Sequence, residues 1–132
     1  MRFIVKTYLL PASHAPSENE LTDADKKFLS EHFQPASYEL VVDDKGIDWN
    51  KIDSIEVVTA PRAAGPAGWF VKNMLYNGQD RYHVAVYSGR YELVLPNLSY
   101  AAVKYVIRMI AYFARQRIPY SGPDGLTATA EG

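Results

Sequence analysis

Between Leu98 and Ile118 the chain contains no glycine and no proline, and Pro119 closes the run. At about 100° per residue, Leu98, Ala102, Tyr105, Met109 and Phe113 fall on one stripe of a helix. Val103, Val106, Ile107, Ile110 and Ala114 widen that stripe to roughly 200° of arc. Lys104, Arg108 and Arg115 share the narrow opposite face. An arc this wide has to cover a large apolar surface. The three spaced cations exclude the segment as an ordinary membrane span, and no other run approaches about 18 apolar residues.

The segments before this helix read mostly as strands, so the surface it covers is expected to be a β-sheet core. Met1–Leu10 alternates with period two and is rich in β-formers. Pro11–Asn19 is a loop. Thr22 has the chemistry of a helix N-cap, with Asp23 and Asp25 in the first turn, and predicts a short helix over 23–33 ended by Pro35. Ser37–Val42, Ile47–Trp49 and Ile52–Ala60 read as three short strands. Asp43-Asp44-Lys45-Gly46 makes the first turn between them, with Gly46 available for positive φ. Pro61–Gly68 cannot be regular, and Trp69–Tyr76 is ambiguous between strand and helical turn. Arg81–Tyr87 and Arg90–Leu95 read as a hairpin across Ser88-Gly89. Asn97 or Ser99 caps the long helix. Residues 119–132 have little bulk and are expected to form a loose tail after a single domain spanning 1–118.

A chain of 132 residues is long enough to bury a real core. Its net charge of −1 argues against general nucleic-acid binding. The charge is uneven: residues 61–120 carry eight Lys/Arg against Asp80 and Glu92 alone. A basic second half is compatible with an anionic partner. The absence of cysteine removes disulfides, thiolate metal sites and cysteine nucleophiles. It fits a reducing compartment, and the early charges Arg2 and Lys6 do not suit a signal peptide, so a cytoplasmic protein is expected.

Two segments resemble the pleckstrin-homology-like (PH-like) fold, particularly its bacterial versions. One is Gly46-Ile47-Asp48-Trp49-Asn50-Lys51-Ile52-Asp53-Ser54-Ile55-Glu56-Val57. The other is Tyr91-Glu92-Leu93-Val94-Leu95-Pro96-Asn97-Leu98, a last strand running into the closing helix. The resemblance covers about residues 37–117. It implies an α+β domain: a small antiparallel β-barrel or sandwich capped by the long C-terminal helix, here with an extra N-terminal strand and short helix. It also implies binding or assembly rather than catalysis. The basic loop by which such domains hold phosphoinositides has no counterpart at 43–46, where two Asp accompany one Lys.

No constellation of catalytic type stands out. His14, His32 and His83 lie on different segments and lack the spacing of ligands from one element. Asp43, Asp44, Asp48, Asp53 and Glu56 are close in sequence, which turn chemistry explains more simply than a pair of carboxyls converging across a cleft. There is no Gly-x-Ser-x-Gly elbow. The Gly/Pro loop lacks a following Gly-Lys-Ser/Thr, so no nucleotide, cofactor or metal site is expected.

The functional expectation is therefore a non-enzymatic interaction or assembly module that self-associates or takes another protein partner. Its interface residues would be Trp69 and Phe70, together with Val103, Ile107, Ile110 and Ala114 from the excess apolar arc of the helix. These last four would face a second subunit or the chain's own N-terminal strand and helix. Trp69 and Phe70 would either anchor a partner or fold back into the core. The alternative function is peripheral contact with an anionic lipid or other anionic ligand through Arg62, Lys72, Arg81 and Arg90. The Lys104, Arg108, Arg115 face is either solvated or bound to anions. An enzyme of unrecognised type is the third reading.

Overall fold

In a computed structural model of the chain, residues 7–59, 81–89 and 91–122 are described. Strand β1 (Thr7–Leu9) is followed by helix α1 (Asp23–His32), β2 (Phe33–Pro35), β3 (Glu39–Val42) and β4 (Lys45–Asp48). A 3-10 turn (Trp49–Lys51) leads to β5 (Ser54–Thr59). Then come β6 (Tyr82–Ser88), β7 (Tyr91–Leu98), helix α2 (Tyr100–Ala114) and β8 (Ile118–Ser121). The class is α+β. One sheet has the order β1-β8-β5-β6-β7 and the other β2-β3-β4. All pairs are antiparallel except β5 with β8. The sheets do not join into a closed barrel among the described residues.

Alternation decides which side of each strand is buried. Ile55 and Val57 of β5, Val84 and Val86 of β6, and Leu93 and Leu95 of β7 point into the core, as a period of two requires. Helix α2 packs against β6 and β7 of the larger sheet, β2 of the smaller one and the 3-10 turn. The Ala12 amide also donates to the Ala111 carbonyl at 3.1 Å, so the segment after β1 lies along the same helix. The wide apolar arc is thus used up by several neighbours within the chain. Val103, Ile107, Ile110 and Ala114 are all buried in it. Of the two expected neighbours, a second subunit or the chain's own N-terminal strand and helix, burial leaves no face for the first; β2, β6, β7, the 3-10 turn and the segment at Ala12 lie against the helix.

Helix boundaries follow local chemistry. Thr22 and Asp25 form a capping box on α1, each accepting from the other's backbone N–H at 3.1 Å. Ser99, rather than Asn97, caps α2, accepting from the Ala102 amide at 3.1 Å. The same Ser99 hydroxyl donates to the Asp25 carboxylate at 3.1 Å. One carboxylate therefore serves the N-termini of two helices, where the dipoles favour negative charge. Arg115 ends α2 in the left-handed region (φ 57°), earlier than the expected Ile118.

This shared cap gives a first prediction. Asp25→Ala should cost about 2 kcal/mol, the loss of a cap together with a buried hydrogen bond. Ser99→Ala should cost less when Asp25 is already absent. A double-mutant cycle by urea denaturation is expected to show coupling of about 0.5 kcal/mol or more; strictly additive effects would contradict the link.

Three expectations need correction. Positive φ in the β3–β4 turn falls on Asp43 (φ 50°) and Asp44 (φ 71°), not on Gly46. Val42 pairs with Lys45, so the loop has two residues of the primed type whose twist suits a tight hairpin. The strand expected to include Trp49 stops at Asp48, whose carboxylate accepts from the Asn50 amide and starts the 3-10 turn. The tail expected from residue 119 begins instead with β8: Tyr120 is buried, and the strand lies between β1 and β5. Residues 123–132 lie outside the described ones.

Candidate functional site

The larger sheet has one face on the core and one facing outward. On the outward face, register aligns Ser54 with Tyr87 and Glu92, then Glu56 with Ala85 and Val94, then Val58 with His83. Val58 and Val94 are 44% and 39% exposed. No described helix packs on this side. Two β-branched residues flanking a small alanine make a shallow apolar strip. Glu56, Tyr87, Glu92 and His83 form its polar margin. This is the anatomy of a small interaction surface, apolar in the middle and polar at the rim.

The margin is held rigidly. The Tyr87 hydroxyl donates to Glu56 Oε1 at 2.9 Å across β5 and β6. That hydrogen bond, with burial and the charges of Glu56 and Glu92 adding to it, pushes the Tyr87 hydroxyl up to about 12. Tyr87 therefore stays a neutral donor at all ordinary pH and is fixed in place. His83 Nδ1 accepts from the Asn97 amide at 3.0 Å, so the proton of the neutral ring sits on Nε2. Asn97 has φ 60°, and the β6–β7 register shifts between Tyr82 and Val84. His83 thus secures the bulged end of β7.

The acidic residues grouped by the sequence do not converge. Asp48 caps the 3-10 turn, Asp53 accepts from the Gly89 amide at 2.6 Å, Glu56 takes the Tyr87 hydroxyl, and Asp43 meets the His32 ring. Each answers a local backbone or side-chain need, as turn chemistry implies. An open groove beside the 3-10 turn is lined by Asp48, Lys51, Asp53, Ser88 and Tyr91. Its polar groups hold the fold together: the Ser88 hydroxyl donates to the Lys51 carbonyl at 2.7 Å. Among the described residues, no group of three or more His, Asp or Glu is placed to share a metal ion. No helix among them is long and apolar enough to cross a membrane.

Of the residues singled out for binding, Arg62, Trp69, Phe70, Lys72 and Arg90 lie outside the described ones. Arg81 is described: its guanidinium donates to the Asn97 carbonyl at 2.8 Å, which ties β6 to the end of β7. Val58, Ala85 and Val94 are the surface residues that sequence reasoning missed. Their signal was present: each sits at an outward parity position of a strand, where a polar residue is the usual choice. Comparison with protein-family models, with curated proteins and with solved structures finds no match.

Proposed function

We propose that this chain is a non-enzymatic interaction module of PH-like architecture that self-associates through the outward face of its larger sheet. The supporting observation is the exposed Val58–Ala85–Val94 strip within a fixed polar margin. A second copy is the partner favoured because the net charge of −1 sets little repulsion between two copies. A strip centred on three small side chains suits a modest, reversible association. The PH-like resemblance belongs to the same reading. What supports it is the three-stranded β2-β3-β4 sheet followed in the chain by the antiparallel β5-β6-β7 meander and helix α2, although β1 and the parallel β8 add to the larger sheet beyond that pattern.

Light scattering after size exclusion tests the proposal. At roughly 100 µM, where even modest affinity populates a complex, the wild-type protein should exceed the monomer mass. Val94→Lys and Val58→Lys should return it to monomer with an unchanged circular dichroism spectrum, since surface substitutions alter stability by only about 0.5 kcal/mol. A wild-type monomer at that concentration, or a dimer indifferent to both changes, would remove the reading.

A further inference from the structure

Charge on the outward face of the larger sheet has a direction. Along β6, alternation puts Arg81, His83, Ala85 and Tyr87 on this side, and the β5–β6 register runs unbroken from Tyr82 to Tyr87. The carboxylates stand at the Tyr87 end. Glu92 is level with Tyr87 on β7, and Glu56 accepts the Tyr87 hydroxyl from β5. Arg81 stands at the other end. Its guanidinium donates to the Asn97 carbonyl at 2.8 Å, and His83 Nδ1 accepts from the amide of the same residue at 3.0 Å, so a cation is held at the bulged end of β7. Among the described residues of β5, β6 and β7, this face is therefore negative at one end and positive at the other, with Val58, Ala85 and Val94 between. Arg117 is a cation of the opposite edge, over the Tyr8 ring of β1.

Resting on the reading that two copies meet through this face, we propose that they meet with their strands antiparallel, about a two-fold axis crossing β6 near Val84, so that Arg81 of each copy lies against Glu56 and Glu92 of the other. Sheets packed face to face keep their strands roughly aligned, which leaves two orientations for a two-fold axis in the plane of contact. An axis along β6 lays like ends together. Arg81 then faces Arg81, and Glu92 of one copy comes beside Glu56 of the other. An axis across the strands lays unlike ends together. Arg81 then faces Tyr87 of the second copy, whose hydroxyl lies under the charges of Glu56 and Glu92. His83 faces Ala85, whose small side chain leaves room for the ring, and Val58 packs on the stem of Glu56. Like charges set against each other oppose association and unlike charges favour it, which selects the antiparallel arrangement.

Sedimentation equilibrium of the full chain and its variants tests this. Each charged contact occurs twice in a two-fold dimer, so Glu92→Arg should weaken association roughly tenfold, and Arg81→Gln roughly two- to tenfold. Arg81→Glu/Glu92→Arg, which exchanges the charges of the two ends, should associate more tightly than Glu92→Arg alone. The wild-type dimer should also weaken several-fold between about 50 and about 500 mM NaCl, a readout that needs no variant to fold. The other axis predicts the reverse for Glu92→Arg, a tighter dimer, because the new cation would come beside Glu56. A dimer that Val94→Lys dissociates, but that Glu92→Arg tightens or that is indifferent to Glu92→Arg and to salt, keeps the face and overturns the antiparallel arrangement. A wild-type monomer at about 100 µM removes self-association and this arrangement with it.

Discussion

Ile107→Glu is expected to unfold the protein rather than to dissociate an oligomer. Ile107 is 0% exposed and sits in the middle of α2, within the cluster that joins the helix to both sheets. A carboxylate at this position has no cation or backbone donor to meet it. Burying it charged costs several kcal/mol, and keeping it neutral still strands a polar group in an apolar core. The lost isoleucine packing adds to this. Against a total stability of about 5–15 kcal/mol for a domain of this kind, the sum removes most or all of the folded population. Circular dichroism should show loss of the cooperative thermal transition, while Ile107→Val should keep it at a cost of about 1 kcal/mol. A folded Ile107→Glu monomer derived from a wild-type oligomer would place this side chain at a subunit contact and contradict the packing described here.

Trp49→Ala carries the second large effect. The indole is 3% exposed at the first position of the 3-10 turn. It stacks on Phe113 of α2 with ring centroids 5.1 Å apart and planes 8° from parallel. Its N–H donates to the Ala36 carbonyl at 2.7 Å. One residue therefore fastens the turn between the two sheets to the last turn of the helix and to the β2–β3 connection. Truncation leaves a large cavity and removes the hydrogen bond to Ala36, which should cost about 3–5 kcal/mol. Trp49→Phe should keep much of the stacking and lose the hydrogen bond, at roughly 1–3 kcal/mol. Guanidinium denaturation monitored by circular dichroism separates the two. Equal midpoints for Trp49→Ala and wild type would mean that the turn is not anchored through this ring.

The two variants also show where sequence reasoning reached its limit. The long helix was legible because periodicity reports which side chains share a face, and the face was assigned correctly down to Lys104 and Arg108. How much of the apolar arc the chain itself would cover was not legible. That depends on how many elements converge on the helix, and β2, the 3-10 turn and the segment at Ala12 come to it from distant parts of the sequence. From the sequence alone, the apparent surplus therefore fits equally a subunit contact or a seat for the N-terminal strand and helix. The sequence places Trp49 in an alternating strand, whereas its turn and its partner on α2 depend on contacts across the 64 positions between Trp49 and Phe113.

Local chemistry settled what lies within a few residues: the Thr22 cap, the Ser99 cap, the Asp43-Asp44 turn, and the alternation that buries Val84 and Val86 while exposing Val94. These depend on backbone groups and periods that neighbouring side chains fix by themselves. Tertiary structure alone decided the place of Ile118–Ser121. A proline at position 119 argues against an interior strand, yet β8 lies between β1 and β5, and Arg117 stacks over the Tyr8 ring at 4.5 Å beside it. It likewise decided that Asp25 would meet Ser99. Such pairings are set by how sheets and helices stack, and no pattern within either partner's own segment encodes the other.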